Sequence, residues 1–306
     1  METYLAVFGH TAIDVILNVP KLPDRDSSIA VEERATRFGG TAANIARASA
    51  EIDVDVSLCS FVGGDFPDDY LDALVDSGVS TDGLKVKKDH DTTTCWIIND
   101  REGEQLTIVD QGAMKEMQDF EIPTETIEDC EVLHIGTGKP SYYRKIYDRC
   151  DLEKKSVGFD PAQELEYMYD ASTFEKFLRQ SDFFFCNQKE KEVALRYLEI
   201  DSFETLLDDF GLDFILVTKG GEGSTLHLPE EKIIIPTYEP QKIVEPTGAG
   251  DAFRAGFYAA LSRDLSLERA CRAGSARASF AVEKAGSQTG RIGWKDVIFR
   301  MEEQST

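Results

Sequence analysis

The feature that most constrains this chain is an alternation of short, nearly unbroken apolar runs with longer amphipathic stretches. The runs at 4–9, 54–62, 132–135, 156–160, 183–186 and 214–218 read as buried strands. The stretches at 42–52, 68–77, 141–150, 171–179 and 202–210 space their apolar residues at helical intervals. Strand and helix in that repeated order predict a parallel sheet with helices packed on its faces. No repeat or low-complexity linker divides the 306 residues, and 42% hydrophobic content suffices for one large core, so a single domain over 1–306 is expected.

The alternation breaks twice, at 14–33 and 92–111. In the second break TTTCWIIND and EQLTIVDQ flank Asp100-Arg101-Glu102-Gly103, a β-hairpin signature. Taken as about 12–36 and 88–112, the two breaks would form a discontinuous β lid that closes over a substrate and excludes water. The competing reading is an antiparallel edge of the main sheet.

Composition excludes several classes. Cys59, Cys95, Cys130, Cys150, Cys186 and Cys271 are scattered without CxxC spacing, which points to reduced thiols rather than zinc ligands or disulfides. METYLAVFGHTAIDV carries no basic leader, and no stretch approaches the roughly 20 apolar residues of a membrane span, so a soluble cytoplasmic protein is expected. A formal charge of −24 opposes binding to nucleic acid, which relies on clustered Lys and Arg. It also repels polyphosphates at long range. Any phosphate site must therefore be local, built from backbone amides, a helix end, magnesium and a few cations such as Arg254 or Lys219. The acidity itself reads as surface solvation or as adaptation to an unusual cytoplasm.

Two motifs carry chemistry. In EPTGAGDAFRAG (245–256), Gly248, Ala249 and Gly250 lead into Asp251 and a helix-compatible run. Small residues at a helix N-terminus let backbone N–H groups approach an anion, and an adjacent carboxylate can take the proton of an attacking alcohol. In FGGTAANIA (38–46), Gly39 and Gly40 precede small helix formers, and Asn44 on the first turn can present its amide to a ligand; a plain turn and cap is the alternative. Asp14, after the first strand, is either a solvated loop acid or a partner for two sugar hydroxyls. His134 reads as core, His10 as structural or pocket-lining, and His90 and His227 as loop residues, while Lys219 reads as a turn lysine. No GxxxxGK[ST] occurs, and Gly136-Thr137-Gly138 lacks the third glycine of a dinucleotide fingerprint.

Together GGTAAN and PTGAGDAF, in order and spacing, resemble the two signatures of the ribokinase (PfkB) family of small-molecule kinases, across essentially the whole chain. The resemblance implies a three-layer α/β/α sandwich with a mostly parallel central sheet and a small β-sheet lid, and ATP with magnesium as phosphoryl donor. By that resemblance Asp251 is the base, Gly248, Ala249 and Gly250 the anion hole, and Asp14, Gly39, Gly40 and Asn44 substrate contacts. Asn187 and Glu190 in CNQKEKE match an Asn-x-x-Glu element that organises magnesium and phosphates through water. Thr218, Gly220 and Gly223 resemble a nucleotide-side turn, and 278–286 an adenine-flanking segment. Glu245 stands where the family usually has Asp, in what is in some members a monovalent-cation loop, so dependence on potassium stays open. A homodimer through the lid is expected on the same grounds.

Substrate choice leans toward nucleosides. Ribokinase-like sequences commonly carry Asn two residues before the substrate Asp and often Lys after the double glycine, whereas this chain has Ala12 and Thr41. VFGHTAIDVILNV, LHIGTGKP, VGFDPAQEL and ASFAVEKAGSQT look most like archaeal nucleoside kinases. That subgroup implies transfer to a 5′-hydroxyl, with Asp160 and Gln163 near the transferred phosphate. The alternatives are a sugar or sugar-phosphate kinase and a non-catalytic nucleotide sensor; an acid behind an anion hole opposes the last.

Overall fold

A computed structural model of the chain describes residues 3–203, 206–284, 286, 288 and 291–303. The first seven strands are β1 (Thr3–Phe8), β2 (Ala12–Asn18), β3 (Glu33–Gly39), β4 (Val56–Gly63), β5 (Leu84–Lys87), β6 (Thr93–Asn99) and β7 (Gln105–Asp110). The others are β8 (Cys130–Ile135), β9 (Ser156–Phe159), β10 (Phe183–Asn187), β11 (Phe214–Thr218), β12 (Ser224–His227) and β13 (Lys232–Ile235). A nine-stranded sheet runs β13-β12-β11-β10-β9-β8-β1-β4-β5, parallel from β5 to β11 and antiparallel at β12 and β13. A separate four-stranded sheet runs β3-β2-β6-β7.

The unbroken apolar runs follow from burial of both faces of the main sheet. Leu5 and Val7 point into one core while Ala6 and Phe8 point into the other, and Phe183 and Phe185 oppose Phe184 and Cys186 in the same way. The first core is closed by the helices Thr41–Ala50, Asp68–Asp76, Ala249–Leu261, Leu267–Ala281 and Trp294–Glu303. The second is closed by Pro140–Arg149, Ala171–Leu178 and Gln188–Leu198. The result is the expected three-layer α/β/α sandwich.

Several expectations change in detail. The smaller sheet is no edge of the main one, and its β3 continues to Gly39, three residues past the expected boundary at 36. The strands β5, β12 and β13 escaped the sequence reading because they are short, and β5 and β13 are also partly exposed. His227, read as a loop residue, lies on β12 and is buried edge-to-face against Phe203. Of the expected helix at 202–210, Leu206–Phe210 is helical, while Glu204 and Thr205 lie outside the described residues. From β1 the chain goes to β4 on one side and later returns to β8 on the other, so the carboxyl ends of β1 and β8 border a switch-point crevice.

Candidate active site

That crevice opens into a cavity of about 850 Å³ between the carboxyl ends of the parallel strands and the inner face of the small sheet. The helix Ala249–Leu261 points its N-terminus into it. Gly248 caps this helix in the left-handed region at φ 78°, a conformation that disfavours a side chain, and Ala252 to Ala260 are buried behind it. The helix therefore cannot be moved without unpacking the core, and its first-turn amides are fixed where an anion would sit.

Asp251, on that first turn, faces the cavity and is otherwise enclosed by protein. Loss of surrounding water pushes its carboxyl up to about 7; Asn44 and Arg254 hold it down, while Asp160 and Asp14 add to the rise. Asn44 Nδ2 donates to Asp251 Oδ2 at 2.8 Å, and Asn44 Oδ1 accepts from Gln288 Nε2 at 2.8 Å. The Asn expected to touch substrate thus also touches Asp251, the residue expected to act as base.

Asp160 directly follows β9 and is buried. It accepts Arg254 Nε at 2.6 Å and Nη2 at 3.2 Å, while Arg254 Nη1 donates to the Gly250 carbonyl at 3.2 Å. Arg254, expected as a cation available to phosphate, is committed to this bidentate pair, which braces the turn expected to hold an anion. His134 is core as expected and also reaches the cavity floor, with Nδ1 and the Tyr258 hydroxyl 2.8 Å apart. Burial pushes its pKa down to about 4, so the ring is neutral. Gln163 is exposed along the same rim.

Asn187 and Glu190 form a capping box on the helix Gln188–Leu198. Asn187 Oδ1 accepts the Glu190 amide at 2.9 Å, and Glu190 accepts the Asn187 amide and side-chain amide, both at 2.7 Å. The spacing therefore has a local structural cause, and the cap aims Glu190 into the cavity. Burial, with Asp160 nearby, pushes Glu190 up to about 7. Among the described residues no three His, Cys, Asp or Glu side chains close into a metal cage. Oxygen donors with surplus negative charge and no closed cage fit a magnesium ion that keeps several waters and leans on phosphates.

On the opposite wall, Asp14 pairs in register with Arg37 on β3 and Cys95 on β6, and Cys95 pairs with Val109 on β7. These four side chains share the inner face of the small sheet. Burial pushes Asp14 up to about 6. Gly39 does not itself line the cavity; a Cβ there would overlap the Asp14 carboxylate, so its part is to leave room for that acid. Gly40 and Asn44 do line it.

The sequence reading missed a polar network beside Asp14. The buried Glu164 accepts from Gln111 Nε2 at 3.0 Å, from the Tyr167 hydroxyl at 3.1 Å and from the Gly138 amide. Gln111 Oε1, an amide oxygen that can only accept, takes a hydrogen bond from His10 Nε2 at 2.6 Å, which places the ring proton on that nitrogen. Tyr167, 57% exposed, and the inner-face residues Ile97, Thr107 and Val109 extend the wall beyond Asp14. The period-two pattern of β6 and β7 was the available signal for those three.

At the nucleotide-side end, Thr218, Gly220 and Gly223 line the cavity around the β11–β12 turn, where the Lys219 amide donates to the Gly223 carbonyl. Lys219 is the turn residue expected. Ala278, Ser279 and Val282 of the predicted adenine-flanking segment also line the cavity, while Ala285 within it lies outside the described residues. Ile243, missed earlier, is 77% exposed at this mouth.

A helix N-terminus backed by a carboxylate with raised pKa, in a switch-point cavity roofed by a second sheet, defines a phosphotransferase acting on an alcohol. The chain belongs to the pfkB family of carbohydrate kinases, whose family model matches residues 2–292. It is 34% identical to a nucleoside kinase of Methanocaldococcus jannaschii over 96% of this chain and 95% of that one. It is 33% identical to a nucleoside kinase of Methanothermobacter thermautotrophicus over 93% and 91%. The crystal structure of the M. jannaschii nucleoside kinase, an archaeal member of the ribokinase family, superposes with a TM-score of 0.90 over 99% of both chains.

Proposed function

We propose that the protein transfers the γ-phosphate of ATP to the 5′-hydroxyl of a nucleoside. The observation that carries this reading is Asp251: a carboxylate with its pKa raised to about 7, one residue past the anion-binding turn and held by Asn44. Asp251 takes the hydroxyl proton as the alcohol attacks. Amides of Gly248, Ala249 and Gly250 meet the charge that develops on the transferred group. Asp14 and Asn44 hold the ribose, and the small sheet acts as the lid. Magnesium bound near Asn187 and Glu190 would neutralise phosphate charge.

A nucleoside is favoured over a free sugar because the cavity of about 850 Å³ is lined not only by Asp14 and Asn44 but also by Tyr167, Ile97, Thr107 and Val109, an aromatic and largely apolar wall that suits a base. The names of the M. jannaschii and M. thermautotrophicus relatives support the same choice. ADP release from Mg-ATP against nucleosides, ribose, fructose and fructose 6-phosphate tests it. Turnover with sugars alone would replace the substrate and keep the mechanism.

The surroundings follow from the same reading. Glu245 already accepts from Arg37 and the Gly286 amide, so equal activity in sodium and potassium is expected. The outer lid face carries Trp96, Ile98, Leu106 and Ile108, the last two 45% and 51% exposed, which suits a homodimer through the lid; size exclusion of Ile108→Lys checks it. Among the described residues no helix is long and apolar enough to cross a membrane, and a cytoplasmic location is proposed.

A further inference from the structure

Arg37 lies directly across from Asp14 in the lid, yet its guanidinium leaves the sheet. Nη1 donates to Glu245 Oε2 at 2.7 Å, and the same oxygen accepts the Gly286 amide at 3.1 Å. The amides of Val244 and Glu245 both donate to the Val282 carbonyl, which hangs this loop on the end of the helix Leu267–Ala281. Pro246 follows, and its carbonyl accepts the Ala249 amide, so Glu245 sits at the root of the anion-binding turn. One ion pair thus joins the strand beside the acceptor carboxylate to the loop that sets the phosphate-facing amides. Its side chains are 31% and 25% exposed, so separating them carries a modest electrostatic cost, as a contact that forms and breaks with the lid requires.

We propose that Arg37 and Glu245 are positioning residues that form a latch, coupling engagement of the alcohol at Asp14 to the shape of the anion-binding turn. The proposal rests on the phosphotransfer reading above. When the lid carries Asp14 onto an acceptor, Arg37 moves with it and draws Glu245, and through Pro246 the turn at Gly248, into register. The latch also places both its charges near Asp14. That carboxyl faces Arg37 from β3, Cys95 from β6, Glu245 from the loop, Tyr70 from the helix Asp68–Asp76 and Asp251 from the helix Ala249–Leu261. Burial raises its pKa most, Glu245 raises it further, and Cys95 and Arg37 lower it. The two latch residues therefore act on Asp14 with opposite signs.

The opposite signs separate a latch from a plain stability contact. Arg37→Met, Glu245→Gln and the double variant are compared in the full-length protein. With adenosine as acceptor, each single variant is expected to lower kcat by about tenfold or more, with KM for ATP changing less than about threefold. The double variant should be no worse than the worse single. Calorimetric binding of adenosine across pH, in an Asp251→Asn background that leaves Asp14 as the titrating acceptor carboxyl, gives the second readout. Arg37→Met should raise the midpoint by about half a pH unit and Glu245→Gln should lower it by a similar amount. Midpoints that move together or stay fixed, with kcat retained, would overturn the latch. Unaltered protein that phosphorylates no alcohol would instead remove the reading on which it rests.

Discussion

Asp160 and Asp251 flank the same arginine and line one cavity, yet the fold provides for them differently. Asp160 is buried and accepts two N–H groups of Arg254, a charge-for-charge arrangement. Asp251 is open to the cavity on one side and receives one neutral amide, from Asn44. The paired acid spends its charge holding the helix start in place. The under-supplied acid keeps a pKa near neutrality, where a carboxylate can both lose a proton to water and take one from an alcohol. What separates the structural acid from the acid proposed for proton transfer is the partner each was given.

The sharpest break of that comparison is Asp251→Asn, expected to lower kcat by about 10²–10⁴-fold while ATP binding, followed by calorimetry, persists. The same variant should melt a few degrees higher at pH 8. The folded-state pKa of about 7 lies above the ordinary value of 3.8, so this acid costs stability as pH rises between them, and Asn removes the cost. Asp160→Asn should do the opposite, lowering the melting temperature by leaving Arg254 buried without its counter-ion; equal kinetic losses with equal stabilities would dissolve the distinction. Removing the guanidinium by Arg254→Met should cost about 3–5 kcal/mol in urea unfolding, because a buried carboxylate is left alone.

Smaller effects sharpen the picture. For the unaltered enzyme, kcat/KM is expected to rise with pH through about 7 as Asp251 ionises. Asn44→Ala removes a donor that favours the charged form, so this limb should move upward and neutral-pH activity fall about tenfold. Gly39→Ala should raise KM for the acceptor and leave KM for ATP unchanged, as the added carbon displaces the Asp14 carboxylate. The smallest expected change is Asn187→Ala, which deletes a helix cap at about 1 kcal/mol in thermal unfolding.

Much of this was legible because two short motifs compress local rules into few residues. Gly248 to Asp251 needs only a helix start and an acid, and both are written consecutively. The layer architecture was legible because strands buried on two faces cannot alternate. Contacts between distant segments were not legible. Asn44 reaches Asp251 across the packing of two helices, and Arg254 meets Asp160 through the angle between β9 and a helix. The Asn187 to Glu190 spacing was read as a ligand element, and its local cause as a capping box was overlooked although the motif was visible.

The small sheet has a consequence for how the chain assembles. Ala12 pairs with Thr93 and Asp14 with Cys95 in parallel, so the sheet cannot complete until β4, the helix Asp68–Asp76 and β5 have been laid down between its halves. Closing so long a loop is entropically unfavourable before the distant contacts form. The order this favours leaves Asp14 without Cys95 until late in folding, and amide exchange should find the same pairing among the first to open.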